Sequence, residues 1–196
     1  MTSFRHKPLK PREAAVLSAT KLCVLAVGVR RTTLTEVARR AGVSRMTVYR
    51  HYPDTTSLVA ALMTREFGAQ LAVVMKAASG RSDARARLVE ATAAGVRALA
   101  GHALFRRVLD VDPEMLLPYL VVRLGRTQRM VLSLLRQLIE DGQADGSVRS
   151  GKPRILALSL MLALQSFLVS ARLVSLGSRR AVDAELRTLV DRYLAP

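Results

Sequence analysis

Apolar residues recur at the spacing of an α-helix along nearly the whole chain. In the last segment, residues 181–194, the side chains of Val182, Leu186, Leu189 and Tyr193 fall on one helical face. Strand signals are almost absent, since neither of the two Asp-Gly pairs lies between alternating runs. The periodicity therefore predicts an all-α fold of about nine helices.

Several helix ends can be predicted from local residues. Ser82 is predicted to cap a helix that ends near Gly101. Residues 141–151 hold three glycines and are predicted to form a loop after a long helix that ends near residue 140. An apolar helix is predicted at 153–176, before the last helix at 181–194.

Charge is unevenly distributed along this basic chain. Of its 196 residues, 31 are Lys or Arg and 15 are Asp or Glu, a net charge of +16. Residues 1–67 hold 12 of the basic residues and only 4 acidic ones. Such an excess predicts attraction to nucleic acid, an anionic membrane or an acidic protein, without choosing among them. We expect a flexible basic arm at 1–10, a small basic helical domain at 11–53 and a larger helical domain at 54–196.

Two short helices around a glycine form the most informative constellation. The first is predicted at 33–41, where Thr33 and Glu36 have the spacing of a capping box, and the second at 44–52. Gly42 between them can adopt the positive φ of a sharp turn, which predicts a helix-turn-helix. No acidic residue lies between positions 37 and 53, so nothing there repels phosphate. The outer face of the second helix offers hydrogen-bond donors, an aromatic ring and a flexible apolar contact to a DNA groove: Arg45, Met46, Thr47, Tyr49, Arg50 and His51.

Residues 32–52, TTLTEVARRAGVSRMTVYRHY, resemble the DNA-binding signature of the TetR family of transcriptional regulators. The resemblance covers about residues 12–65 and implies a dimeric bacterial DNA-binding protein. It implies DNA contacts from Thr33, Ser44, Arg45, Met46, Thr47, Tyr49, Arg50, His51 and Thr55. Two of these positions depart from the family pattern. Where this chain has Met46, the family often has Gly or Pro, and where it has Thr55, the family often has a Lys that binds phosphate. The basic arm could compensate for that missing charge.

The resemblance also implies that the larger domain binds a small effector and dimerises. Candidate lining residues of an apolar pocket are Phe67, Leu71, Met75, Phe105, Leu109, Met130, Leu134, Met161 and Gln165; the same residues could instead pack as ordinary core. A flexible lipophilic molecule, such as an acyl chain, would suit this lining. A narrow face of small residues and the last helix predict the dimer interface: Ser159, Ala163, Ser166, Ser170, Leu186, Leu189 and Val190.

The leading hypothesis is a ligand-responsive repressor that binds a palindromic operator as a homodimer and is released by its effector. A sequence-neutral, basic DNA-coating protein is the alternative, although such a protein needs no base-reading helix. The sequence contains no nucleophile elbow, phosphate-cradling loop or paired-carboxylate site that would suggest an enzyme. The single cysteine, Cys23, provides no disulfide or multi-cysteine metal site, and no cofactor is predicted. The uncharged run at 155–171 fits a buried helix better than a membrane span, and we expect a cytoplasmic protein.

Overall fold

The computed structural model describes residues 11–170 and 178–196. All regular secondary structure in these two ranges is helical, which confirms the all-α fold class. The nine α-helices of these two ranges are α1 (Pro11–Val27), α2 (Leu34–Ala41), α3 (Arg45–His51), α4 (Thr55–Ala78), α5 (Ala84–Gly101), α6 (Ala103–Val111), α7 (Arg126–Ala144), α8 (Pro153–Val169) and α9 (Arg179–Leu194). The predicted arm at 1–10 and the end of the predicted 153–176 helix lie outside the described residues.

Local residues fix the ends of the first helices. Gly28 follows α1 with a φ of 83°, and Gly42 follows α2 with a φ of 65°, both in the left-handed region that glycine adopts without a steric penalty. Thr33 caps α2 by accepting a hydrogen bond from the backbone N–H of Glu36. These short turns bring α2 and α3 together as a helix-turn-helix.

A first hydrophobic core joins α1–α3 to α4 and α6. Val24 of α1, Leu58 and Leu62 of α4, and Leu104 and Val108 of α6 are each at most 1% exposed and belong to one cluster. Their burial removes apolar surface from water, which is the main source of stability in such a small unit. The predicted domain boundary between residues 53 and 54 therefore cuts through a shared core.

A second core fills the larger domain between α5, α7, α8 and α9. Leu88, Ile139, Leu160, Val190 and Leu194 are at most 1% exposed within this cluster. The loop before α8 is tied to the end of α9, because the backbone N–H of Arg149 donates to the carbonyl of Leu194 over 2.9 Å. Of these helices, α5, α7 and α8 also form walls of the cavity described below.

Two predicted boundaries were wrong. Asp83, not Ser82, caps α5, because the Asp83 carboxylate accepts a 2.8 Å hydrogen bond from the N–H of Ala86, while Ser82 donates to that carboxylate. Helix α7 continues to Ala144, so the first part of the predicted 141–151 loop is helical. Before α7, the chain forms a 3-10 turn at Pro113–Met115 and a π-helical turn at Pro118–Val122.

By length and composition, α4 is the one helix in the described ranges that could cross a membrane. Core helices of water-soluble proteins meet the same criterion. Leu58 and Leu62 of α4 are completely buried, and Glu66 forms an ion pair with Lys21 of α1. Residues 155–169 of the uncharged run lie in α8, which is shorter than such a span.

Candidate nucleic-acid interface and ligand cavity

Helix α3 is held by its two ends and one buried side chain. The Ser44 hydroxyl accepts a 3.1 Å hydrogen bond from the N–H of Thr47, and the two hydroxyls lie 2.9 Å apart. Val48 is 1% exposed and packs into the first core, and Tyr52 is 8% exposed where the helix ends. This anchoring fixes which face of α3 points outward.

The outward face carries the side chains that the sequence predicts for DNA contact. Met46 is 74% exposed and Tyr49 is 47% exposed, and Arg45, Arg50 and His51 are exposed beside them. Within the described part of the chain, no carboxylate pairs with Arg45 or Arg50. Their guanidinium groups are therefore available for phosphates or for the acceptors of a guanine.

The nearest acidic residue on α2 is already paired with arginines. Glu36 accepts hydrogen bonds from Arg39 over 2.7 and 2.9 Å and from Arg40 over 2.7 Å. These bonds lower the pKa of Glu36 to about 2. The carboxylate stays ionised at neutral pH, but two guanidinium groups compensate its charge, so the surface beside α3 remains positive.

The two threonines predicted to bind phosphate lie in different environments. Thr33 is exposed at the start of α2. Thr55 is half-buried, and its hydroxyl donates to the carbonyl of Thr32 over 3.4 Å. Beside it, Asp54 caps α4 and accepts a 2.6 Å hydrogen bond from the N–H of Ser57, which places a negative charge at that helix start. This arrangement counts against phosphate binding at Thr55.

A buried carboxylate connects α6 to the turn between α1 and α2. Asp112 is 1% exposed and accepts hydrogen bonds from the N–H groups of Val29, over 2.7 Å, and Arg30, over 3.3 Å. The guanidinium of Arg107 donates to the carbonyl of Ala26 over 3.0 Å. The end of α6 is therefore fixed directly to the segment that leads into the helix-turn-helix.

A second polar junction connects α4 to α1. Glu66 accepts a 2.6 Å hydrogen bond from the ammonium of Lys21 and a 2.8 Å bond from Arg65. Burial raises the pKa of Glu66, but these two bonds outweigh it and the net pKa is lowered. The Nε2 of His102 lies 3.8 Å from the same carboxylate. Burial lowers the pKa of His102, against the opposing effect of Glu66.

A cavity of about 640 Å³ lies between α4, α5, α7 and α8. Other parts of its wall come from α6 and from the segment between α6 and α7, through Phe105, Met115 and Tyr119. Along α4 the lining runs from Thr56 to Met75, about 28 Å at the rise of an α-helix. This volume falls in the range of pockets that bind small organic molecules.

Most of the residues predicted to line a pocket do border this cavity: Phe67, Leu71, Met75, Phe105, Leu134, Met161 and Gln165. Two predicted residues were wrong, because Leu109 and Met130 are half-buried but do not line it. The helical spacing of apolar residues does not distinguish the face of α6 or α7 that meets the cavity from the adjacent faces. His51 and Tyr52 border the end of the cavity nearest α3.

The outer face of α8 has no cover from the described part of the chain. Ile155 is 53% exposed and Leu162 is 52% exposed, and Ser159, Ser166 and Ser170 are exposed on the same side. Ala163 is half-buried. On α9, Leu189 is 43% exposed.

Two residues predicted for the dimer interface point into the core of their own domain. Leu186 is 2% exposed and Val190 is 0% exposed, and both pack in the second core with residues of α5 and α8. Side chains already buried within one chain cannot form the surface that meets a second copy. The apolar side of α9 is thus the side that closes its own domain.

Sequence reasoning missed both polar junctions. Asp112 stands 83 residues from Val29, and Glu66 stands 45 residues from Lys21. No local pattern marks such pairs. The only available signal was an acidic residue directly before Pro113, and it would have suggested a turn rather than a contact with the first domain.

Comparison with known proteins agrees with this architecture. Residues 16–62 match the family model of bacterial regulatory proteins of the TetR family. An uncharacterised HTH-type transcriptional regulator of Mycobacterium bovis is 38% identical over 180 residues, which cover 91% of this chain and 92% of the relative. A regulator of the same description from Mycobacterium tuberculosis gives the same identity and coverage. The chain belongs to the TetR family of transcriptional regulators.

Solved structures share the fold at low sequence identity. The TetR-family transcriptional repressor QsdR of R. erythropolis has a TM-score of 0.69 at 15% identity, covering 95% of this chain and 96% of QsdR. The transcriptional regulator FadR of Bacillus subtilis, solved in complex with stearoyl-CoA, has a TM-score of 0.65 at 13% identity, covering 92% of this chain and 98% of FadR. The family and the curated relatives are transcriptional regulators rather than enzymes.

Proposed function

We propose that this protein is a ligand-responsive repressor that binds a palindromic DNA operator as a homodimer and is released by a small lipophilic effector. The observation that carries the proposal is one helix, α4, which borders the cavity and also packs against the DNA-reading unit. We expect the protein to act in the cytoplasm, where bacterial DNA is accessible.

The exposed face of α3 supports sequence-specific binding. Arg45 and Met46 lie at the start of the helix, which is the part of a recognition helix that meets base edges. We assign Arg45 to a guanine and Met46 to an apolar contact such as a thymine methyl. Thr33, Ser44, Thr47, Tyr49, Arg50 and His51 would hold the phosphate backbone, while Thr55 makes at most a minor contribution.

Effector binding would act through the two junctions. A molecule that fills the cavity presses on α4 along most of its length and on α6 near Phe105 and Val108. Helix α4 is tied to α1 by Glu66, and α6 is tied to the α1–α2 turn by Asp112. A shift of either helix changes the position of α3, and typical couplings of this kind amount to about 1–3 kcal/mol.

The uncovered face of α8 supports a homodimer. Ile155 and Leu162 expose apolar surface beside small side chains that permit a close approach of helices, and Leu189 of α9 is exposed as well. A second copy related by a two-fold axis would cover this face and present two α3 helices to the two half-sites of a palindrome. FadR and QsdR are similar to this chain in fold, and a stearoyl-CoA complex of the former fits an apolar effector.

Selection of bound duplexes from a random pool, at about physiological salt, tests the DNA-binding part of the proposal. A palindrome is expected, bound at least about 10³-fold more tightly than random DNA. Arg45→Ala should relax the preference at one base position by roughly 1–3 kcal/mol, whereas Tyr49→Phe should weaken all sequences alike. Arg180→Ala on α9 removes the same charge far from α3 along the chain and serves as the control.

A featureless pool would support the alternative, a DNA-coating protein driven by net charge. Such a protein would bind every duplex with similar affinity and with a steep dependence on salt. The selection is therefore done with effector-free protein, obtained by unfolding and refolding, so that a bound molecule cannot be the reason for missing operator binding.

A further inference from the structure

The cavity has few charged groups in its lining, and they lie toward its ends. Glu13 and His51 border the end nearest α1 and α3, and Arg126 is exposed at the first residue of α7. No other Asp, Glu, Lys, Arg or His side chain of the described residues lines the cavity. An ionised group placed deep in this space would lose its hydration without meeting an opposite charge.

Several polar side chains in the lining already have their hydrogen bonds satisfied. The hydroxyl of Thr64 donates to the carbonyl of Ala60 over 2.8 Å, and that of Thr92 donates to Leu88 over 2.7 Å. Gln128 donates to the carbonyl of Tyr119 over 2.7 Å. Gln128 also accepts a 2.7 Å bond from the N–H of Gly125. The two threonines have therefore used their only donor within the protein, and Gln128 has one N–H left.

Two glutamines in the lining differ from this group. Gln70 on α4 and Gln165 on α8 are half-buried, and neither has a hydrogen-bond partner within residues 11–170 and 178–196. Apolar side chains flank both, with Leu71 next to Gln70 and Leu164 next to Gln165. A primary amide offers two N–H donors and one carbonyl acceptor and carries no charge. It can donate to a carbonyl or hydroxyl oxygen, but it cannot neutralise the charge of a carboxylate that has lost its hydration.

Building on the proposed function, we infer that the effector is an uncharged amphiphile: an apolar chain that carries a carbonyl group, as in an amide, ester, lactone or ketone. Gln70 and Gln165 donate hydrogen bonds to the carbonyl oxygen, and the chain lies among the apolar residues of the cavity. The free fatty acid with the same chain is ionised at neutral pH and is rejected, because its carboxylate meets no cation there. The glutamines thus set specificity by charge, while the apolar lining supplies affinity.

The test compares decanamide with decanoate at pH 8, since the two molecules differ mainly by one charge. Both are measured by displacement of N-phenyl-1-naphthylamine, a neutral apolar dye, from the full-length protein. We expect decanamide to bind at least tenfold more tightly than decanoate. The double variant Gln70→Leu/Gln165→Leu should bind decanamide at least tenfold more weakly while dye affinity stays within threefold of wild type. Gln137→Leu makes the same chemical change at an exposed position of α7 that does not line the cavity, and it should behave as wild type.

Each other outcome overturns a defined part of the reasoning. Decanoate binding as tightly as decanamide would refute the uncharged class, and loss of that binding in Arg126→Ala would place an anionic head at the cavity mouth instead. Unchanged decanamide affinity in the double variant would refute the role of the glutamines. In both cases, continued binding of the dye would still support the proposed lipophilic effector site. Absence of binding by the dye and by both decanoyl compounds would instead contradict the proposed function itself.

Discussion

The buried carboxylate of Asp112 provides the sharpest test of how the two parts of the molecule are joined. Asp112→Ala removes the acceptor of the Val29 and Arg30 N–H groups. Val29 is 4% exposed, so water cannot readily replace the lost acceptor there, whereas Arg30 is exposed and its N–H can be hydrated. A buried donor left without a partner costs about 1–3 kcal/mol.

The Arg30 side chain adds little to this free energy. Its Nε lies 3.9 Å from Asp112, and the side chain is 71% exposed, so solvent screens the attraction. We therefore expect Asp112→Ala to lower the free energy of unfolding by about 2–3 kcal/mol. Asp112→Asn keeps one acceptor oxygen for the N–H of Val29, so it should lower the free energy of unfolding by only about 1 kcal/mol.

Urea unfolding followed by circular dichroism measures these differences. Asp191→Ala is the matched control, because it removes a carboxylate that pairs with Arg85 over 3.4 Å at the surface and should cost at most about 1 kcal/mol. Operator affinity should fall for Asp112→Ala, since the α1–α2 turn loses its attachment to α6. Stability of Asp112→Ala within 0.5 kcal/mol of wild type, roughly the scatter of neutral surface changes, would refute the reasoning.

Three further predictions follow from single positions. Gly28→Ala should lower the free energy of unfolding by roughly 2 kcal/mol or more, measured in urea, because φ is 83° and the added Cβ would lie 2.8 Å from the Asp112 carboxylate; an unchanged midpoint would contradict this. Leu162→Arg should convert a dimer to a monomer in size-exclusion chromatography with light scattering, whereas Val73→Arg on α4, where Val73 is 63% exposed, should not. Burial lowers the pKa of His102 from 6.5, so the native state takes up its proton less readily than the unfolded chain. The melting temperature should therefore decrease as the pH falls below about 6.5, and His102→Gln should reduce that decrease; an identical pH profile in the variant would count against it.

The DNA-reading unit could be predicted closely from the sequence because its signals are local. Thr33, Gly42 and Ser44 each act on residues within one helical turn, and in the structure Thr33 caps α2, Gly42 forms the turn and Ser44 caps α3. The charge of the surface around α3 was also evident from composition. What the sequence did not show was that Glu36 is shared by two arginines, because the rotamers of neighbouring side chains decide that contact.

The cavity could be predicted only in outline. Its wall is built from helices distant in the chain, and whether a half-buried residue faces a hollow or a neighbouring helix depends on how those helices cross. For this reason Leu109 and Met130 do not line the cavity, whereas Leu71 and Gln165 do. The prediction that Leu186 and Val190 lie in the dimer interface was wrong for a similar reason. An apolar stripe shows that a helix face is covered, but it does not show which element covers it.

The first core has a consequence for synthesis of the protein. Its DNA-reading helices are complete in the chain by residue 51, but the side chains that close their core include Leu104 and Val108 of α6. During translation, the recognition helix therefore leaves the ribosome long before the residues that hold it in place. A nascent chain acquires a stable DNA-reading surface only after about half of the polypeptide has been made, when the first walls of the cavity are already present.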